Sequence, residues 1–323
     1  MGSRGVREPA VTVDVLAGRA LGRTGWSVTG LCVGTGELGN IPVYGEGVPD
    51  DLALATARRA FAGPLTFLDT SNGYGISEQR LGVVIRELGG VPDGMLLATK
   101  VDPKEGGPFD GQRVRESVNE SMERLGLDYL PLVHLHDPEK ISFEEAMSPS
   151  GPVPALQDLV AEGLVGHLGV AGGPVDLMRR FADTGIFEVV LTHNRWTLLD
   201  RSAGSLLDDC AAAGIAALNA APFGGGILAK GQLGSEKYAY RPASGPVLSA
   251  LAAIEAACRR YDVPLGAAAL QFSVRDPRVT STLVGMSRPD RYDAALDLAA
   301  YPVPDDLWAE LAQLTPGSEN WLG

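Results

Sequence analysis

Two periods of apolar and polar positions alternate along the chain. Short apolar runs rich in β-forming residues occupy 29–33, 66–69, 95–100, 130–136, 167–171, 188–193, 216–220 and 280–285, and each reads as a strand. Between them, stretches of helical period cover 51–62, 77–88, 112–125, 153–162, 174–183, 202–213 and 264–276. Eight strands in strict alternation with helices predict βαβ units and a parallel sheet, and eight such units close into an α/β TIM barrel. Ahead of the first strand, residues 20–28 carry an Arg-Thr-Gly turn and read as a small hairpin capping the barrel floor. Long loops follow the fourth run (137–152) and the seventh (223–247), on the face where barrel enzymes place their chemistry. Extra helices are expected at 250–261 and 305–314. No repeat or linker divides the chain, so 1–323 reads as one barrel domain, with 1–17 as a flexible extension.

Helix ends have chemical signals. Asp50 and Ser77 are candidate N-caps, and Pro174 and Pro264 suit a first turn. Gly126, Gly163, Gly185 and Gly214 follow helical stretches and can close them in the left-handed conformation.

Composition narrows the functional classes. Lys+Arg 27 against Asp+Glu 40 gives a net charge of -13, which repels nucleic acid and anionic lipid, so neither is expected as a partner. The longest charge-free stretch, 210–229, contains Asn219, Pro222 and Gly224 to Gly226, which a spanning helix disfavours. The N-terminus shows no apolar signal segment. Cys32, Cys210 and Cys258 are widely spaced, with no CxxC, and suggest neither a disulfide framework nor a thiolate zinc site. A cytoplasmic enzyme is the resulting expectation.

The informative polar residues sit at strand ends. Asp69, Lys100, His136 and His193 end otherwise apolar runs, and in a TIM barrel those ends converge on one pocket. A strand-end residue satisfied by its neighbours is the plain alternative for each taken singly. Tyr74 follows in the turn Asn72-Gly73-Tyr74-Gly75. A tyrosine is a poor proton donor or acceptor near neutrality, but an adjacent ammonium such as Lys100 stabilises its phenolate. Asp69 would keep that ammonium charged, and His136 would hydrogen-bond the reacting oxygen. Tyr74 alone reads equally as a rim aromatic.

Three other patterns compete. His134 and His136 share one strand face, as in many metal sites, so a metal-dependent hydrolase is an alternative. Against it, there are four histidines in all, and the last strand ends without a carboxylate. His134 then reads as a barrel-interior side chain. Gly34-Thr35-Gly36-Glu37-Leu38-Gly39 matches GxGxxG, yet the extended 40–45 that follows supplies no helix to hold a pyrophosphate. Phosphate is better sought at 284–291, where Gly285, Ser287, Arg288 and Arg291 join the last strand to a helix.

Several segments together resemble the aldo-keto reductase superfamily over about 20–300. They are Leu21-Gly22-Arg23-Thr24-Gly25, the run from Phe67 to Gly75 with Ser77-Glu78, Ala98-Thr99-Lys100, Leu135-His136-Asp137-Pro138, and the run from His193 to Asp200. The resemblance implies that Asp69, Tyr74, Lys100 and His136 form the catalytic tetrad, with Tyr74 the acid/base. It also implies an extended nicotinamide cofactor at the barrel mouth, touching Gly36, Asp69, His193, Phe223, Gly224, Gly226, Leu228, Gly285, Ser287, Arg288 and Arg291. NADP(H) is the expected coenzyme, with NAD(H) also used, because Arg291 matches the family's arginine while its usual lysine is replaced near Gly285. The runs 221–228 and 238–243 are most similar to the subgroup of aldose and pyridoxal dehydrogenases. That similarity implies a small carbonyl or polyol substrate whose selection depends on loops around Leu38, Tyr44 and Trp196. The family's usual carboxamide-holding Ser-Asn is replaced by Ala171-Gly172, and its usual ring-stacking tyrosine falls near Ala220. Asn219 is a candidate substitute for the missing polar contact. A non-catalytic subunit sensing nicotinamide redox state is a further alternative.

Overall fold

The computed structural model describes residues 14–44, 47–231 and 234–323. Eight parallel strands close into a barrel. In chain order they are β3 (Leu31–Gly34), β4 (Phe67–Asp69), β5 (Leu96–Val101), β6 (Leu130–His136), β7 (Val165–Gly172), β8 (Val189–His193), β9 (Ala216–Ala220) and β12 (Val279–Gly285), with β12 pairing both β9 and β3. Two short antiparallel pairs stand outside the barrel: β1 (Gly18–Ala20) with β2 (Ser27–Thr29), and β10 (Lys237–Tyr238) with β11 (Arg241–Pro242). The eight barrel strands coincide with the eight runs of the sequence to within two residues at most ends.

Helices wrap the barrel: α1 (Asp50–Ala62), α2 (Ser77–Leu88), α3 (Gly111–Leu125), α4 (Phe143–Met147), α5 (Pro152–Ala161), α6 (Val175–Asp183), α7 (Gly204–Ala213), α8 (Ile227–Lys230), α9 (Gly245–Arg260), α10 (Leu265–Val274), α11 (Pro289–Ala300) and α12 (Asp305–Leu311). The helix-ending glycines behave as their positions predict, with φ of 74° at Gly126, 77° at Gly163, 69° at Gly185 and 66° at Gly214. The N-terminal signals shift. Pro174 and Pro264 stand one residue before their helices, and Asp50 and Ser77 lie inside theirs without capping. Both side chains are drawn into tertiary contacts instead: Asp50 accepts from Arg80, and the Ser77 hydroxyl bonds to Thr35.

Side-chain alternation along each strand divides the core. One set points into the barrel, where Cys32, Phe67, Leu96, Ala98, Leu132, Leu191, Leu218 and Leu283 pack with Leu21 and Val28 of the hairpin. The other set meets the helices in a larger apolar layer. The hairpin closes the floor, as its sequence predicts. A Cβ on Gly22 would stand 2.7 Å from the Ala216 nitrogen, so the turn lies directly against the entry of β9. Of the extension expected at 1–17, residues 1–13 lie outside the described residues. Among those described, no helix is long and apolar enough to cross a membrane.

Candidate active site

At the mouth the register aligns strand ends: Gly285 beside Gly34, Gly34 beside Asp69, Lys100 beside His134, and His193 beside Ala220. Lys100 is 1% exposed. Its Nζ donates to Asp69 Oδ1 at 2.5 Å and to the Thr70 carbonyl at 2.7 Å, and lies 4.5 Å from the centre of the Tyr74 ring. The Tyr74 ring in turn meets the His136 ring edge-on at 5.7 Å. Burial pushes the Asp69 carboxyl above its ordinary range, and the Lys100 ammonium opposes that push. Its second oxygen is buried without a hydrogen-bond partner. The four side chains of the expected tetrad are therefore brought together.

The turn that presents Tyr74 is held from two sides. From α3, Arg113 donates to the Asn72 side-chain oxygen at 2.9 Å, while the Asn72 amide donates to Glu120 at 3.1 Å. Arg124 adds a bond to the Asn72 carbonyl at 3.2 Å. From the end of β5, Asp102 accepts from the Gly73 amide at 2.8 Å and from the Ser71 hydroxyl. A Cβ at Gly73 would meet that carboxylate at 2.7 Å, so only glycine lets Asp102 approach.

Asp102 was not visible as a site residue in the sequence. It is 4% exposed, and its Oδ1 lies 2.7 Å from His136 Nδ1. The pair polarises both groups: the His136 charge holds the Asp102 carboxyl well below its usual range despite burial, and Asp102 with Asp137 raises His136 above the usual imidazole value against its own burial. The available signal was weak, an aspartate two residues beyond Lys100 on a strand of period 2.

The histidine pair behaves unequally. His134 is fully buried in the barrel, neither ring nitrogen has a hydrogen-bond partner, and burial holds it well below the ordinary imidazole range. It packs on Gly169, where a Cβ would come within 2.1 Å of its Nδ1. The grouping of metal-ligand type among the described residues is Asp137, Glu139 and His193, not His134 with His136. The reading of a His134/His136 metal centre is thereby not favoured. His193 ends β8 at this cluster, and burial beside Arg195 lowers it to about 4.

The remaining candidates spread around the rim. Gly36 opens the 3-10 turn Gly36–Gly39 after β3. The GxGxxG motif serves packing here: a Cβ on Gly39 would stand 2.0 Å from the Tyr74 carbonyl oxygen, so the turn rests on the Tyr74 backbone. Gly224 and Gly226 have φ of 60° and 104° in the loop after β9. Phe223 packs between two apolar clusters, and the Leu228 side chain is fully buried in one of them. Gly285, Ser287, Arg288 and Arg291 lie where β12 passes into α11, both arginines exposed. One expectation changes. Asn219 points outward, donating to the Trp196 carbonyl at 2.8 Å and to Ser273 at 2.7 Å. Trp196 stacks on Phe272 and Arg278 in the helical layer. Leu38 is buried with Val48 and Ala53. The Tyr44 side chain lies outside the described residues.

Known proteins resemble this chain in sequence and in fold. The sequence profile of the Aldo/keto reductase family matches residues 30–316. An L-galactose dehydrogenase from Arabidopsis thaliana is 36% identical over 275 residues, covering 83% of each chain. A D-threo-aldose 1-dehydrogenase from a Pseudomonas species is 30% identical, covering 91% of this chain and 96% of its own. A pyridoxal 4-dehydrogenase from Microbacterium luteolum is 27% identical with the same coverage. Among solved structures, a putative aldo-keto reductase from Pseudomonas aeruginosa superposes with a TM-score of 0.65 at 23% identity over 90% of this chain, a likeness of fold. Since the profile spans nearly the whole barrel and two relatives reach 30% identity or more, the chain belongs to the aldo/keto reductase family and is an oxidoreductase acting on alcohol and aldehyde groups.

Proposed function

We propose that the protein is a nicotinamide-dependent dehydrogenase that interconverts the alcohol or hemiacetal carbon of a small, neutral, polyhydroxylated substrate and its carbonyl or lactone. The observation that carries this reading is the buried Lys100 ammonium, fixed by Asp69 at 2.5 Å and lying 4.5 Å from the Tyr74 ring centre. A cation so placed stabilises negative charge on the phenolic oxygen, which suits Tyr74 to give or take the substrate proton. His136, edge-on to the same ring, orients the reacting oxygen. The names of the relatives, two of them sugar dehydrogenases and one a pyridoxal dehydrogenase, support a hydroxylated substrate.

The mouth fits a nicotinamide nucleotide. The unpartnered Asp69 Oδ2 is an acceptor suited to a ligand hydroxyl, and His193 is neutral at physiological pH and able to bond an amide. When bound, the nicotinamide ring supplies or receives the hydride. Gly36, Gly224, Gly226 and Gly285 would admit its backbone closely, with the backbone beside Phe223 and Leu228 forming part of that rim. Ser287, Arg288 and Arg291 would take the phosphate end. NADP(H) is preferred on this reading, with NAD(H) also accepted.

Steady-state turnover with both coenzymes, against free aldoses, pyridoxal-type alcohols, simple aldehydes and bulky apolar ketones, tests the proposal. Oxidation of an aldose or a pyridoxal-type alcohol is expected, and efficient reduction of bulky ketones alone contradicts the substrate class. Tyr74→Phe is expected to lower turnover by ~10²-fold or more with coenzyme affinity little changed. Wild-type turnover in that variant, with chemistry shown to be rate-limiting, removes Tyr74 from the role.

A further inference from the structure

Beside the tetrad lies a cleft of about 490 Å³, a size that suits a small molecule. Gly73 and Asp102 line it next to the tetrad, Lys104 and Phe109 come from the loop between β5 and α3, and Lys140 and Ile141 come from the end of the 3-10 turn Pro138–Lys140 after β6. The link to the reacting groups is short. Gly73 precedes Tyr74, Asp102 lies 2.7 Å from His136 Nδ1, and Asp137, which Lys140 meets at 3.1 Å, lies 3.6 Å from His136 Nε2.

The lining decides which chemical groups the cleft can take. The Lys140 ammonium has three N–H donors. Asp137 takes one, and Asp102 at 3.9 Å acts only through its charge, so donors remain for a ligand. Lys104 stands in the same way beside Glu116 at 3.2 Å and Glu120 at 3.5 Å. Each ammonium is thus offset by carboxylates. A phosphate or carboxylate on the substrate would face those acids as well as the cations, which reduces the gain from binding an anion. A bulky apolar group would take water from both ammoniums without replacing its hydrogen bonds. A neutral hydroxyl avoids both costs, because it can accept from an ammonium and donate to a carboxylate. Phe109 and Ile141 add an apolar wall for the C–H face of a sugar ring.

We propose that this cleft is the subsite for the remote hydroxyl groups of an aldose, and that Lys140 selects such a substrate by donating to one of them. The inference rests on the dehydrogenase reading above and narrows its substrate class. A row of hydroxyls uses the donors and acceptors along the cleft, whereas a flat pyridine ring with few hydroxyls reaches fewer of them. Tyr74 and His136 keep the reacting oxygen, and Lys140 touches no reacting atom.

The test compares two oxidations at the same kind of carbon: the D- and L-aldopentoses and aldohexoses against tetrahydropyran-2-ol, a pyranose ring without its remote hydroxyls. Lys140 is exposed, so the fold accepts Lys140→Met. This variant is expected to lower kcat/KM for the aldose by about 10-fold, through KM, and to lower it far less for tetrahydropyran-2-ol. Any effect of the lost charge on His136 falls on both substrates and cancels in their ratio. Gly107→Trp narrows the cleft without changing charge; Gly107 has no left-handed backbone, and a Cβ there would meet nothing nearer than 3.4 Å. The same fall in the ratio is expected. A ratio unmoved in either variant, including an equal loss for both substrates, overturns the proposal, as does wild-type oxidation of tetrahydropyran-2-ol with no aldose oxidised. If the wild type oxidises neither, the function reading fails instead, and saturation-transfer NMR of the same aldoses decides the cleft. Transfer that disappears in Gly107→Trp keeps it as a sugar site, and transfer that is absent or unaffected overturns it.

Discussion

The proposed preference for NADP(H) rests on the charged side chains after β12, and Arg291 is the one to test. Arg288 already pairs with Asp290 at 3.3 Å, whereas no ion pair engages Arg291 among the described residues. A 2′-phosphate brings close to two negative charges, which a guanidinium meets with paired charge-assisted hydrogen bonds. Arg291→Ala is expected to weaken NADP(H) by ~1.5–3 kcal/mol, the range for bonds to charged groups, and to leave NAD(H) nearly unchanged. Fluorescence titration of both coenzymes checks it, and equal losses would move Arg291 off the 2′-phosphate. Much of the candidate site was legible at this scale because Asp69, Lys100 and His136 interrupt apolar strands at their ends, a pattern that burial makes costly without a partner. Asp102 was hidden. It lies just past the end of β5, and its value comes from Gly73 and His136, residues 29 and 34 positions away.

Strands and helices were readable because each must bury one face, and the period of that face survives in a single sequence. Their ends were less so: Asp50 and Ser77 have the chemistry of caps, but Arg80 and Thr35, distant in sequence, claim their oxygens. The same competition between local and distant partners shapes the Tyr74 turn, which α3 grips at Asn72 through Arg113 and Glu120. The Arg113 bond holds Glu120 down to about 2, below the ordinary carboxylate value of 4.5. A depressed acid stabilises the fold fully above its unfolded value, and that contribution is lost as pH falls through the folded value. Between about pH 4.5 and pH 2 the turn should therefore loosen, seen as faster amide exchange at residues 72–75. Arg113→Ala is expected to cost about 1.5–3 kcal/mol and to bring this loosening to neutral pH. If exchange in the turn is unchanged by the variant, the α3 network does not hold Tyr74.

At the scale of the whole molecule, the barrel separates chemistry from stability along its axis, with active loops at the C-terminal ends of the strands and packing at the other end. Here the separation has a specific device. The β1–β2 hairpin seals the floor, Leu21 fully buried beneath the interior layer, while Arg19 donates to the carbonyls of Val279 and Val274 at 3.0 and 3.1 Å and so ties the hairpin to the entry of β12. Tyr74, Lys100 and His136 occupy the opposite end of the same strands. Leu21→Ala leaves a cavity in the interior layer, where Val189 and Ala216 at the starts of β8 and β9 cannot close it without breaking the register of the barrel. A loss of about 2–5 kcal/mol in unfolding free energy is expected, read from urea midpoints. At temperatures well below the transition, kcat per folded molecule should stay at the wild-type value, because no group at the mouth has moved. Tyr74→Phe should show the reverse, with turnover lost and the midpoint kept. A Leu21→Ala protein that unfolds normally but turns over slowly would mean that the floor transmits its packing to the mouth, and the two ends of the barrel would then have to be treated as one coupled unit.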